Sequence, residues 1–114
     1  MRLAQLQYFL DVARTQNMSR SAKNLHVAQP SLSRAVHELE SELNTPLFTR
    51  NGRSLALNEA GRRFEVTAST ALQTLDQGVQ DLHRFLKEDA KQVTIRIESS
   101  TTMIPGLLAF LHQE

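Results

Sequence analysis

The chain has 114 residues, a net charge of +1 at neutral pH, a 40% hydrophobic content and no cysteine. That length suits about one globular domain plus an extension, with too much apolar content for a disordered chain, and it excludes disulfides and thiolate metal sites. No apolar run approaches the ~20 residues that cross a bilayer, and Met1 to Gln7 lacks a signal peptide's apolar block, so a cytoplasmic protein is expected.

Leu3, Leu6, Phe9, Leu10 and Ala13 fall at helical spacing and predict an amphipathic first helix with one buried stripe. A short second helix follows, capped by Asn17 or Ser19, whose side-chain oxygens can accept from free amides, and ends near Leu25. His26 is read as the turn residue, since histidine is among the non-glycine types that tolerate a left-handed conformation. Gln29-Pro30 opens a third helix, proline having no amide to leave unpaired there. Leu32, Val36, Leu39 and Leu43 form its buried stripe; Asn44 or Thr45 ends it, and Pro46 prevents continuation.

Leu47 to Arg50 and Ser54 to Leu57 read as two short strands around Asn51-Gly52-Arg53, with Leu55 and Leu57 facing the core. Asn58 caps a long helix running to about Glu88, in which Phe64, Ala68, Leu72, Leu75, Val79, Leu82 and Leu86 recur at spacings of three and four. Thirty such residues span about 45 Å, more apolar seam than a small domain covers, so a second subunit's helix is the simplest partner; packing within one chain is the alternative. Gly61 and Gly78 weaken this helix and permit close contact. Val93, Ile95 and Ile97 alternate with polar residues as one strand, and Pro105 to His112 starts another helix. A lone strand has an unpaired edge, so the chain is expected to stop just inside a second domain.

Ala22, Leu25, Val27, Leu32 and Ala35 have the sizes and spacing that let the second and third helices meet as a helix-turn-helix. Gln29, Ser31, Ser33, Arg34 and His37 are then left outward with the donors and acceptors that base edges and phosphates require, arginine suiting guanine and glutamine adenine. Charge is segregated: between Val12 and His37 the charged residues are Arg14, Arg20, Lys23 and Arg34, and between Leu43 and Asn58 they are Arg50 and Arg53, with no acid in either stretch. Glu38, Glu40 and Glu42 follow late in the third helix, where they should point away from phosphate. Arg53, at the hairpin tip, suits a minor groove or a phosphate; Arg50 serves phosphate or pairs with Glu40.

With these residues placed, the chain resembles the LysR-type transcriptional regulators over essentially its whole length. The resemblance rests on the ordered string Leu6-Gln7-Tyr8-Phe9, Ser19-Arg20-Ser21-Ala22, Leu25 to Arg34, Leu39-Glu40, Leu47-Phe48-Thr49-Arg50, Arg53 and Ala60-Gly61. It implies a mainly α fold: a winged helix-turn-helix DNA-binding domain over 1–58 with a two-stranded β wing, a linker helix for dimerisation over 59–90, and over 91–114 one strand and helix of a truncated α/β effector domain. It implies a bacterial, nucleoid-associated regulator that reads promoter DNA as a dimer, recognition helix in the major groove and wing in the minor. Full-length relatives assemble as tetramers that bend DNA and respond to a small-molecule inducer. Gln29, Pro30, Ser33 and Arg34 match the family's recognition-helix contacts and Arg53 its wing contact; Ser31 is a phosphate neighbour. Ser99, Ser100 and Thr101 resemble the loop that holds an effector's anionic group, at a strand's carboxyl end, although the pocket is incomplete here. Gln16-Asn17-Met18, Ser21, Asn44 and Asn58 depart from the common pattern, Asn44 and Asn58 keeping its capping chemistry.

Two rivals exist. An enzyme is disfavoured because no cysteine is available, His26, His37, His83 and His112 show no ligand or catalytic spacing, and no nucleophile elbow surrounds Ser99 and Ser100; neither a cofactor nor a metal is expected. A helical dimerisation module with an incidental basic face would explain the long helix but not the polar recognition face and basic flanks.

Overall fold

The computed structural model describes residues 1–52 and 54–91, comprising α1 (Leu3–Thr15), α2 (Met18–Leu25), α3 (Gln29–Leu43), β1 (Phe48–Asn51), β2 (Ser54–Leu57) and α4 (Glu59–Lys91). Arg53 at the hairpin tip, the expected strand from Val93, the helix from Pro105 and the loop Ser99-Ser100-Thr101 lie outside the described residues. Chain contacts separate a unit Met1–Thr74 from a second that begins at Leu75.

Local chemistry terminates each helix of the first unit. Asn17 caps α2, its Oδ1 accepting the Arg20 amide at 2.9 Å, so of the two cap candidates Asn17 serves. Gln16, His26 and Asn44 end α1, α2 and α3 in the left-handed region, with φ of 50°, 57° and 58°. Asn58 Oδ1 accepts the Gly61 amide at 2.7 Å at the start of α4.

Around Phe9, helices α1, α2 and α3 pack pairwise. Phe9, Val12, Leu32, Val36 and Leu39 are wholly buried, and the ring of Phe9 meets Phe48 of the wing at 5.6 Å and Phe64 of α4 at 5.5 Å. One element of the α1 expectation is corrected: Leu3 is 46% exposed. In that first turn Gln5 goes inside instead. Its Oε1 accepts the Arg2 amide at 2.8 Å and its Nε2 donates to Glu38 at 3.3 Å, so a buried polar group is satisfied at both ends. Ser21, where a small apolar residue would fit, is fully buried and shares a hydrogen bond of 2.6 Å with the Thr15 hydroxyl.

The wing is an antiparallel pair in the register Phe48↔Leu57, Thr49↔Ala56, Arg50↔Leu55 and Asn51↔Ser54, with Gly52 at φ 60° in the connection between the strands. It begins one residue later than the sequence suggests, because Leu47 spends its amide on Glu40 rather than on the ladder. Glu40, on the face of α3 turned toward the wing, is 8% exposed. Its Oε2 accepts the amides of Leu47 at 2.7 Å and Phe48 at 3.3 Å, and its Oε1 faces Arg50 Nη2 at 3.5 Å. Gly61 seats the start of α4 against the wing: a Cβ there would collide with the Leu47 carbonyl oxygen and come within 2.5 Å of Leu57 Cδ1.

Within α4, Phe64 and Ala68 serve the domain's own core rather than an open seam, Ala68 being 1% exposed and Phe64 touching Phe9, while Leu72 is half-buried. From Leu75 onward the row changes character, with Leu75, Val79, Leu82 and Leu86 between 42% and 52% exposed. The helix runs to Lys91, slightly beyond the expected end. Among the described residues no helix is long and apolar enough to cross a membrane.

Candidate nucleic-acid interface

The outward face of α3 follows from its buried one. With Leu32, Ala35, Val36 and Leu39 turned inward, Gln29, Pro30, Ser31, Arg34 and His37 are exposed and Ser33 is half-buried. Residues four apart share a helix face, so Gln29, Ser33 and His37 form one row and Pro30 and Arg34 lie beside it. The structure thus brings the expected recognition residues together on one short surface. Pro30 within the first turn and Ala28 as the cap set where that row begins.

Unpaired positive charge is carried by α3 and by α2, the helix before it. Among the described residues, Arg34 of α3 and Arg20 and Lys23 of α2 are exposed and make no ion pair. Most cations elsewhere are neutralised, Arg14 by Asp11 at 2.7 Å, Arg62 by Glu59 at 3.2 Å and Arg84 by Asp81 at 3.1 Å, whereas Lys87 near the end of α4 is exposed and makes no ion pair. An unpaired guanidinium or ammonium beside a row of polar side chains is available to phosphate oxygens and releases counterions when it binds them.

Arg50 and His37 need separate treatment. Arg50 Nη2 and His37 Nδ1 each lie 3.5 Å from Glu40 Oε1. Of the two readings the sequence left open for Arg50, the structure displays the pairing with Glu40, which holds the arginine on the wing and leaves its side chain 37% exposed.

Two features of the site escaped the sequence reading. Gln29, the first residue of α3, receives the Ser19 hydroxyl at 2.8 Å on its Oε1. The wing is tied to the end of α1 through the Leu57 amide, which donates to Gln16 Oε1 at 3.3 Å; Gln16, Asn17, Met18, Ser19, Ser54 and Leu55 line a cleft between the start of α2 and β2. No local pattern announces either bond, since the partners lie 10 and 41 positions apart. Glu40 was more accessible: four residues after Val36 and one after Leu39, it falls on the buried face by helical periodicity alone. Among the described residues no cluster of three or more potential metal ligands exists.

Comparison with known proteins places this geometry. Residues 3–62 match the family model described as bacterial regulatory helix-turn-helix protein, lysR family. The chain is 36% identical over 112 residues to the uncharacterized HTH-type transcriptional regulator YybE of Bacillus subtilis (strain 168), covering 96% of this chain and 38% of that protein. It is 35% identical over 113 residues to the HTH-type transcriptional regulator BudR of Klebsiella aerogenes, covering 99% and 79%. A crystal structure of BenM_DBD in complex with benA site 1 DNA superposes with a TM-score of 0.72 at 35% identity, over 75% of this chain and 99% of that one.

Proposed function

The chain belongs to the LysR family of bacterial regulatory helix-turn-helix proteins, and from that premise we propose that it reads promoter DNA as a dimer. In this reading α3 enters the major groove, with Gln29, Pro30, Ser33 and Arg34 at base edges and Ser31 and His37 beside the backbone, while Arg53 at the wing tip meets a minor groove or phosphate. Arg50 acts first through Glu40, fixing the wing that carries Arg53. Region 1–58 is the DNA-binding domain and 59–90 the dimerisation helix. Leu72, Leu75, Val79, Leu82 and Leu86 form the seam toward the second copy, because the last four stay exposed in one chain at the spacing two helices use to interlock. In this reading 91–114 is the start of an effector domain with Ser99, Ser100 and Thr101 in its inducer site, and a tetramer and an inducer response require that domain whole. The chain spans 38% of the length of YybE.

The observation that carries this reading is the exposed polar row on α3 with the unpaired Arg34 beside it, together with the unpaired Arg20 and Lys23 of α2, the helix whose Ser19 touches Gln29. The test is selection of bound sites from random duplexes, followed by a salt titration of the selected site. Specific reading yields a favoured base order and affinity that falls steeply with salt as phosphates shed counterions. Arg34→Ala should lose about 1 to 3 kcal/mol and relax choice at one base position. Weak binding without base preference would refute the proposal and favour a dimerisation module with an incidental basic face.

A further inference from the structure

From Leu75 to Leu86 the exposed apolar row of α4 steps by four, three and four residues, a spacing that reads the same from either end. Two copies laid antiparallel therefore match layer for layer, Leu75 against the partner's Leu86 and Val79 against the partner's Leu82, about a midpoint between Gln80 and Asp81. We propose that in this pairing His83 of each copy stands opposite the partner's Asp76 and makes the dimer proton-sensitive, tighter where the imidazole is charged. The inference rests on α4 being the dimer helix and specifies a polar contact beside its seam and what that contact responds to.

At about 100° per residue, Asp76 and His83 project from one flank of the row and Gly78 and Phe85 from the other. In an antiparallel pair the two-fold axis runs normal to both helices, so each flank meets its own kind; in a parallel pair each flank meets the other. Antiparallel, His83 meets the partner's Asp76 on one flank and Phe85 meets the partner's Gly78 on the other, a large residue beside a small one. Parallel, His83 would face the partner's Gly78 and Asp76 the partner's Ala71, and neither charge would find its opposite. Charge complementarity thus selects the antiparallel arrangement. The groups are available for it. His83 and Lys87 are exposed and make no hydrogen bond or ion pair among the described residues, and Asp76 is exposed with one oxygen engaged by Gln80 at 2.9 Å. Asp76 and His83 stand about 10 Å apart along one helix, so only a second copy brings them together. The groups around His83 in the pair are the partner's Asp76, the partner's Gln73 and the partner's Gln80, with Gln80 and Lys87 one turn away on its own helix. Of these only the partner's Asp76 is negative; Lys87 opposes a charge on His83 but is drawn to the same carboxylate at every pH. A histidine that gains a carboxylate on association holds its proton more tightly in the dimer, so the added affinity is full at low pH and is lost as pH rises through the histidine range.

The experiment is sedimentation equilibrium of the full chain without DNA, at low salt because exposed pairs are screened, at about pH 5.5 and about pH 8, on either side of the histidine range. The dimer dissociation constant should fall by about two- to thirtyfold at the lower pH, the span for two symmetric exposed ion pairs. His83→Gln and Asp76→Asn should each still dimerise but lose this dependence, although His26 and His37 continue to titrate. Exchanging the two residues, Asp76→His with His83→Asp, should restore it, because the pair is symmetric about the midpoint whereas the neighbours within one helix have changed. Because the chain has no cysteine, Leu75→Cys and Leu86→Cys report the orientation: mixed and oxidised, the two variants should crosslink to each other, and neither should crosslink to itself. A dimer whose strength ignores pH, a single variant that keeps the wild-type dependence, an exchanged variant that fails to recover it, or a cysteine variant that crosslinks to itself overturns the inference while leaving the dimer standing. A monomer at both pH values would instead refute the dimer reading of α4.

Discussion

Glu40 offers the sharpest test of how the recognition helix and the wing are joined. Its carboxylate is buried and accepts two backbone amides, Leu47 at 2.7 Å and Phe48 at 3.3 Å, while pairing with Arg50 at 3.5 Å. Glu40→Ala removes all three at once and leaves two amides with no acceptor. A hydrogen bond to a charged group contributes about 1.5 to 3 kcal/mol, and an orphaned buried donor costs about 1 to 3 kcal/mol. The second bond is long and Arg50 is partly solvated, which discounts both, so the expected loss is about 2 to 4 kcal/mol out of a total on the order of 5 to 15 kcal/mol. Glu40→Gln retains one oxygen that can face the two amides and turns its amino group toward Arg50, so it should lose about half as much. The assay is urea unfolding followed by circular dichroism, with duplex affinity measured below the transition. Both variants should lower the midpoint without changing the slope, and Glu40→Ala should also weaken DNA binding, because Leu47 and Phe48 anchor the wing. If Glu40→Ala lies within about 0.5 kcal/mol of the wild type, the scale of an ordinary surface substitution, or matches Glu40→Gln, the brace is not where the wing gets its position.

Glycines 61 and 78 should respond oppositely to alanine. Gly61→Ala forces a Cβ into the Leu47 carbonyl and should destabilise despite the better helix propensity, whereas Gly78→Ala meets open space and should stabilise by about 1 kcal/mol; thermal unfolding of the pair that gave the same sign would contradict the packing at Gly61. Asp11 titrates below the usual 3.8: burial alone would raise it, but the neighbouring polar side chains of Ser21 and Asn24 and the Arg14 guanidinium, whose Nη2 donates to Oδ1 at 2.7 Å, together outweigh burial. A carboxyl depressed in the folded state contributes stability that is present above the unfolded value and is lost as pH falls below about 4. Asp11→Asn should therefore flatten the acid limb of the stability profile, and an unaltered limb would assign it to other carboxylates. Leu75→Asp sets a charge among Leu75, Val79, Leu82 and Leu86 and should convert dimer to monomer by sedimentation; an unchanged mass would remove this row from the interface.

Sequence alone determined the features whose causes are local. Pro30 opens α3, Asn58 caps α4 and His26 ends α2 in the left-handed region, each because a backbone amide or carbonyl is satisfied within a few positions of the residue responsible; between Asn17 and Ser19, and between Asn44 and Thr45, the structure chose Asn17 and Asn44. The same holds for the outward row from Gln29 to His37, which helical periodicity dictates once Leu32, Val36 and Leu39 are recognised as apolar. Tertiary structure decided whatever depended on which surfaces meet. It sent Gln5 inside and left Leu3 out, drew Phe64 and Ala68 into the core, turned Glu40 into an acceptor for the wing's amides and required Gly61 to lack a side chain. The groups that satisfy a buried polar side chain lie distant in the chain, and no periodicity within one helix names them.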